Sequence, residues 1–471
     1  MAWVIAFLEG FSTLAVEVIA IRLAVPVVGS SATLNGITLA VVLLALSAGY
    51  WRGGTLSARW DRPRILTTLA RNLLVASAVY GAAAFPWEAR LLEKTLDMGL
   101  DVPLGIGLTA CLLYLLPVYL ASQTVPMLAE VINTEGKAGK ASGRILFFST
   151  LGSVAGGILT PVWFFPQWGV QRTSYVVCAL LVMAGCAALG RSRIIASAAS
   201  ALAVVALITA VHAFFVPKEQ GLSFDSAYQS FRIVTGEDPE GQAERILLLG
   251  GGRASGIYVK DGETSFAYVR ETEKALTETH ASTLLVIGAA GFTFPRDAAR
   301  LAWVRRIDAV DVDPAVKWIA EDQFLRQPLD PKIRFFPMSA RYALHKLRRE
   351  GIHYGLVFVD AYYGKGIPPE LLTEEFFSDV AAISDHTVVN AILDGDLNSD
   401  FAHDLLASFS AAFHEVWVKP LIVEDQMLNN VLVSNWQEAG AQAWNGQGRV
   451  YRDDKSTADR DWVRLAWKQA D

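Results

Sequence analysis

The chain has 471 residues, enough for two or more domains, and its net charge of −6 is split unevenly: residues 1–217 carry 14 Lys and Arg against 9 Asp and Glu, and residues 218–471 carry 27 against 38. The acidic balance excludes the clustered basic surface that nucleic acid rewards. Cys111, Cys178 and Cys186 all lie in apolar stretches, which excludes a disulfide framework, and seven scattered histidines lack the paired spacing of a metal site.

A membrane span needs about 20 mostly apolar residues. About seven segments meet that need, at 3–28, 32–51, 65–86, 102–132, 144–165, 173–190 and 194–216. Residues 1–217 therefore read as a polytopic α-helical membrane domain in a cell membrane, with membrane lipids as its partners. Residues 87–101 alternate charge with Leu and predict an amphipathic helix lying in the interface. Small residues in GSVAGG (152–157) let two helices approach closely. Glu17 falls mid-span, where an ionisable group needs a partner or a cavity. A helix–helix pair, with Arg71 as one partner, and a substrate or proton site both satisfy that need. Glu9, Gln123 and Glu130 lie nearer span ends and are expected at the interface. Basic residues gather after the second, fourth and sixth spans, and the positive-inside rule makes those loops cytoplasmic. Seven spans would then put the C-terminal domain outside, and one segment failing to span, within 87–132, would put it in the cytoplasm.

The C-terminal half begins with short runs at 231–234, 245–249 and 256–259, separated by turn residues, which predict a small antiparallel β subdomain (218–281). An α/β alternation follows over 282–471. Strands are expected at 284–287, 307–312, 332–336, 355–360, 386–393, 415–418 and 428–434. Helices are expected at 295–303, 314–324, 340–350, 371–383 and 399–412. Seven strands with a late hairpin fit a class I methyltransferase-like, Rossmann-type sheet. In such a sheet ligands sit outside the carboxyl ends of the strands. That rule gathers Gly288–Gly291, Asp311, Asp313 and Asp360 around one crevice. Small residues at 288–291, Ala290 among them, admit close backbone approach. Asp311 suits a ribose diol, while Asp313, ahead of Pro314, is expected to cap the next helix.

The segments VIGAAGFTFPRD, VDVDPAV and VFVDAYYGKGIPPELLTEEFF, in that order and spacing, resemble the spermidine synthase (aminopropyltransferase) family, and more closely its membrane-fused branch. GFSTLAVEVIAIRL (10–23) and FFSTLGSVAGGILTP (147–161) are similar to the membrane part of that branch. The resemblance covers nearly all of 222–434. It implies a pocket for S-adenosylmethionine or its decarboxylated form as co-substrate. In it Asp311 would hold the ribose and Gln229 would lie near the sulfur. Tyr268 would act as gatekeeper, and Ser339 and Ala340 would replace the family's adenine element. Asp360 would be the catalytic acid residue, with Tyr363 at the position of its companion. Two family aspartates are replaced, one by Gly291 and the other by Tyr363. That weakens the case for a diamine and leaves room for another small or lipid-soluble amine acceptor. Tyr362 and Tyr363 could face its charge.

Three functions follow from these readings. The first is a membrane-anchored aminopropyltransferase-like enzyme with altered acceptor, with no metal and compatible with a homodimer. The second is an S-adenosylmethionine-dependent methyltransferase on the same sheet. The third is a transporter or sensor whose C-terminal domain binds a nucleoside.

Overall fold

The structure is a computed structural model that describes residues 1–471 apart from 30, 86, 134–135, 191–193, 216–220, 364–365, 422–427 and 469–471. Its contacts divide the chain into two compact units, one of Met1–Val27 and Ala32–Glu219 and the other of Gln220–Asp471 with Val28–Ser31.

In the N-terminal unit, five helical stretches are long and apolar enough to cross a membrane: Ala2–Val28, Ala32–Ser57, Arg62–Ala82, Val102–Ile132 and Ala138–Leu189. The last, of 52 residues, would run about 78 Å at 1.5 Å per residue. A hydrocarbon core is about 30 Å thick. Gly169, at φ 75° and ψ 169°, breaks it into two helices. The apolar helix Ala198–Phe214 is shorter. The expected count of about seven thus depends on dividing the long stretch and including this last helix.

Helix packing here is set by missing side chains. A Cβ on Gly10 would lie 2.0 Å from the Ser149 carbonyl oxygen, one on Gly152 2.1 Å from that of Phe7, and one on Gly156 2.4 Å from that of Phe11. Helices Ala2–Val28 and Ala138–Leu159 therefore touch backbone to backbone, which favours association where lipid supplies no hydrophobic drive. Two polar residues expected near span ends are buried between helices. Glu9 is 1% exposed and accepts from Thr13 Oγ1 (3.2 Å) and from Ser149 Oγ (3.1 Å) on the facing helix. Gln123 is likewise buried, its Oε1 accepting from Asn72 Nδ2 at 3.0 Å. Both place their polar atoms against partners on other helices. Arg71, the suggested partner of Glu17, is exposed. The amphipathic segment forms helix Glu88–Asp97, and Glu88 on its buried face accepts from the Tyr114 hydroxyl.

The C-terminal unit holds two sheets. Strands β1 (Leu222–Asp225), β2 (Ser230–Glu237), β3 (Ala243–Leu249) and β4 (Gly252–Tyr258) form an antiparallel meander. Helix Ala267–Thr279 follows, within the stretch expected to be purely β. The main sheet takes β5 (Thr283–Ile287), β6 (Arg306–Asp311), β7 (Ile333–Pro337), β8 (Tyr354–Val359), β9 (Ser384–Asp394), β10 (Trp417–Pro420), β11 (Leu428–Ser434) and the two-residue β12 (Gln442–Ala443). Their order is β12-β10-β11-β9-β8-β5-β6-β7. Strands β7, β6, β5, β8 and β9 are parallel, and β11 and β10 are antiparallel. Order reverses at β5, which lies between β6 and β8, so the crevice at its carboxyl end is a topological switch point.

The meander and the main sheet share one apolar core, in which Phe231, Leu247 and Ile257 join Leu284, Val286, Phe292, Phe324 and Phe358. Polar ties reinforce the junction. Arg245 Nη1 donates to the Phe324 carbonyl at 2.7 Å, Gly291 N to Ser255 Oγ at 3.1 Å, and Ser226 Oγ to Asp313 Oδ2 at 2.5 Å.

Candidate functional site

The turn after β5 positions everything else. Gly288 sits at φ 91°, and a Cβ there would lie 2.2 Å from the Asp360 carbonyl oxygen and 2.7 Å from Ala361 Cα. Its glycine is thus required by two crossing chains, those leaving β5 and β8. Ala290 and Phe292 also have positive φ, 39° and 56°. The left-handed conformation costs an L-residue about 1–2 kcal/mol. Phe292 is fully buried, a gain of about 1.5–3 kcal/mol that offsets the strain. Helix Thr293–Ala299 therefore starts earlier than the sequence suggested, with Pro295 at its third position and not its first. Gly291 is walled in: a Cβ would meet Phe324 Cε1 at 2.6 Å and Ser255 Cβ at 2.8 Å.

Asp311, ending β6, faces this turn. Its Oδ2 accepts from Ala289 N at 3.1 Å and its Oδ1 from Asp313 N at 2.9 Å. Burial pushes its carboxyl up to about 6, opposed by hydrogen bonds from the backbone of Asp313, Ala289 and Ala290. Those three bonds leave one of the carboxylate's four acceptor sites open. Asp313 has the other role: fully buried, it accepts from Ala315 N at 2.9 Å and from Ser226. The Met338 amide donates to the Asp311 carbonyl at 2.9 Å, which brings the loop after β7 alongside. In that loop Ser339 is exposed and caps helix Ala340–Arg349 by accepting from Tyr342 N at 3.4 Å, with Ala340 the first helical residue.

Asp360, one residue beyond β8, is the centre of the second half. Its Oδ1 accepts from Asn390 Nδ2 at 2.8 Å, and the Tyr268 hydroxyl lies beside its carboxylate. Burial raises its carboxyl to about 7 against those two neighbours. Tyr268 stands at the start of helix Ala267–Thr279, its hydroxyl also 3.3 Å from the Ala254 carbonyl. Tyr362 donates to the Asn390 carbonyl at 2.8 Å. Tyr363 turns the other way and donates to the Tyr228 carbonyl at 2.5 Å. That bond ties the loop after β8 to the β1–β2 loop carrying Gln229, which is 8% exposed and whose Oε1 has no hydrogen-bond partner among the described residues. A buried amide oxygen left so costs about 1–3 kcal/mol, which a polar ligand at the crevice would recover.

The structure thus brings Gly288, Ala290, Gly291 and Asp311 to one side of the switch point, and Asp360 and Tyr268 to the other. Tyr363 joins the loop after β8 to the β1–β2 loop that carries Gln229. Sequence reasoning missed Asn390 and Ser255. The signal for Asn390 was an amide inside an otherwise apolar strand run, VVNAIL. Among the described residues, no three His, Cys, Asp or Glu side chains are arranged to hold a metal ion.

Strand order, antiparallel terminal hairpin and a switch-point crevice bounded by Asp311 and Asp360 define a class I methyltransferase-like, Rossmann-type unit behind a set of apolar helices. Over 121 residues the chain is 32% identical to the polyamine aminopropyltransferase of Vibrio vulnificus (strain CMCP6), a match spanning 26% of this chain and 40% of that protein. The likeness to the spermidine synthase-like family therefore stands, carried by that stretch. No family model matches. Among solved structures, a probable spermidine synthase from Corynebacterium glutamicum ATCC 13032 is 17% identical with a TM-score of 0.39, covering 54% of this chain and 95% of that one. Spermidine synthase from Thermotoga maritima is 16% identical with a TM-score of 0.34, over 53% and 87%. Human methyltransferase-like protein 13 in complex with SAH is 18% identical with a TM-score of 0.30, over 43% and 87%.

Proposed function

We propose that the protein is a membrane-anchored, spermidine synthase-like transferase that alkylates an amine from S-adenosylmethionine or its decarboxylated form. The observation that carries this reading is Asp360, a half-buried carboxyl at the switch point, held by Asn390 with Tyr268 beside it. A turn-forming aspartate needs neither partner. Asp311, with one acceptor site left on its carboxylate, fits a ribose hydroxyl, and the Gln229 oxygen, unpartnered among the described residues, fits a polar or cationic group. When bound, the donor supplies an electrophilic carbon on a sulfonium, whose leaving group is a neutral thioether. The chain's own residues then orient the nucleophile and take its proton at Asp360. Holding two reactants in line is worth up to roughly 7–11 kcal/mol.

A second reading, methyl transfer, is favoured by Gly291. The family aspartate for the donor's aminopropyl ammonium is absent there, and Phe324 and Ser255 occupy the space any side chain would need.

Calorimetry of the purified full chain with S-adenosylmethionine, its decarboxylated form and methylthioadenosine tests the reading. Charge-assisted hydrogen bonds to a ribose are worth about 1.5–3 kcal/mol each, so Asp311→Ala should weaken binding at least roughly tenfold. Equal affinity in wild type and Asp311→Ala overturns the pocket. Product mass separates aminopropyl from methyl transfer, and binding without turnover would favour the transporter or sensor.

A further inference from the structure

Asn390 lies in the middle of β9, 2% exposed, in the apolar run Val388-Val389-Asn390-Ala391-Ile392. Its amide nitrogen donates to Asp360 Oδ1 at 2.8 Å and its main-chain carbonyl accepts from Tyr362. Its side-chain oxygen is buried and, among the described residues, has no hydrogen-bond partner. An apolar residue would serve the strand without that penalty, which is about 1–3 kcal/mol. Whatever meets the oxygen must also lie beside Asp360, because the same amide holds both. The side chains beside Asp360, those of Tyr268 and Asn390, are uncharged. Gly291 is sealed by Phe324 and Ser255, and Tyr363 faces the Tyr228 carbonyl. The two positions that carry acids in the family thus bring no second carboxylate to Asp360.

We propose that Asn390 Oδ1 and Asp360 together receive two N–H groups of the acceptor amine, and that this set selects a monoamine over a diamine; the proposal rests on the transferase reading above. An ammonium offers an N–H to each oxygen and one positive charge to the single carboxylate. An alcohol, with one O–H, leaves one of the two oxygens unmet. The second ammonium of a diamine finds no carboxylate in this set. In the reaction Asp360 takes one proton from the bound ammonium, freeing the nitrogen lone pair. That nitrogen bonds to the carbon of the donor, the carbon–sulfur bond breaks, and its electron pair stays on sulfur as a neutral thioether. The product nitrogen carries the charge the sulfonium lost.

The test uses the full chain in detergent, with n-butylamine and putrescine as acceptors, at about pH 9 so that adjacent carboxylates are ionised. Wild type should favour n-butylamine in kcat/KM. Asn390→Ala should raise the KM for n-butylamine at least roughly tenfold with donor Kd unchanged, and Asn390→Asp, which adds a second charge, should move the ratio toward putrescine by a similar factor. A residue that merely positions Asp360 would lower kcat for both amines alike. An unchanged ratio in both variants, or a wild-type preference for putrescine, overturns the proposal. If no amine turns over, the transferase reading falls, and calorimetry of n-butylamine on the methylthioadenosine complex decides this one. Binding weakened by Asn390→Ala upholds it, and absent or unchanged binding overturns it. Thermal midpoints of the variants exclude misfolding.

Discussion

At the scale of single residues, the carboxyl of Asp360 links chemistry and stability. Its value rises from 3.8 to about 7 because burial disfavours the charge. As a proton acceptor it must be ionised, so kcat/KM should climb as pH rises through about 7 and then level off. For stability the sign is opposite. The folded state holds the proton more tightly than the unfolded one, so the contribution is full below the ordinary carboxylate range and is lost as pH rises through about 7. Asp360→Asn should abolish turnover with donor affinity held within a few-fold, since the carboxyl acts on the acceptor. It should also gain stability relative to wild type between pH 4 and 8, by at most about 4 kcal/mol. Turnover by Asp360→Asn at the wild-type rate would remove its catalytic role. A thermal midpoint difference flat in pH would remove the linkage. Gly288 gives a different test. An added methyl meets the Asp360 carbonyl at 2.2 Å on a backbone at φ 91°, so Gly288→Ala should cost about 2–3 kcal/mol in urea unfolding.

At the scale of elements, the site depends on a loop reaching across from the meander. Ser226 Oγ accepts from Tyr228 N and Gln229 N, both at 3.0 Å, and donates to Asp313. Ser226→Ala leaves the fully buried Asp313 carboxylate short of a donor and unpins Gln229. Donor binding should weaken several-fold while the main sheet stays folded, as circular dichroism and calorimetry together would register; unchanged affinity would mean the loop holds without that bond. The elements were legible to different degrees for physical reasons. Strands β5, β6 and β8 are fully buried parallel strands, so they read as short apolar runs ending in Gly or Asp. Their acids, Asp311 and Asp360, were found with them. Helix Ala267–Thr279 was missed because its apolar face, Val269, Ala275 and Leu276, is interleaved with charges and carries no strong start signal. The early start of helix Thr293–Ala299 depends on Phe292 adopting a left-handed conformation, which only tertiary burial makes affordable. Asn390 needs three dimensions, since strand pairing alone puts it beside Asp360. The same holds for Glu9, whose position near a span end concealed a buried bond to Ser149.

At the scale of the whole molecule, the charge split and the contact division coincide near residue 218. Each unit has an apolar core of its own, one built on the helices and one joining the meander to the main sheet. A unit of about 250 residues buries roughly 70–75% of the surface its unfolded chain exposes, enough to stand alone. The candidate site draws all its side chains, from Gln229 to Asn390, from the C-terminal unit. Residues 218–471 expressed alone should therefore be soluble, unfold cooperatively, and bind the nucleoside donor within about threefold of the full chain, less than the tenfold that corresponds to 1.4 kcal/mol. Turnover of a water-soluble amine should survive as well, because Asp360, Tyr268 and Asn390 are all present. A lipid-soluble acceptor delivered through the spans would instead be turned over by the full chain in bilayers and poorly by the fragment. Insolubility of the fragment in every detergent-free buffer would overturn the independence of the unit. A fragment that folds yet loses donor affinity would show that the helices contribute to the pocket.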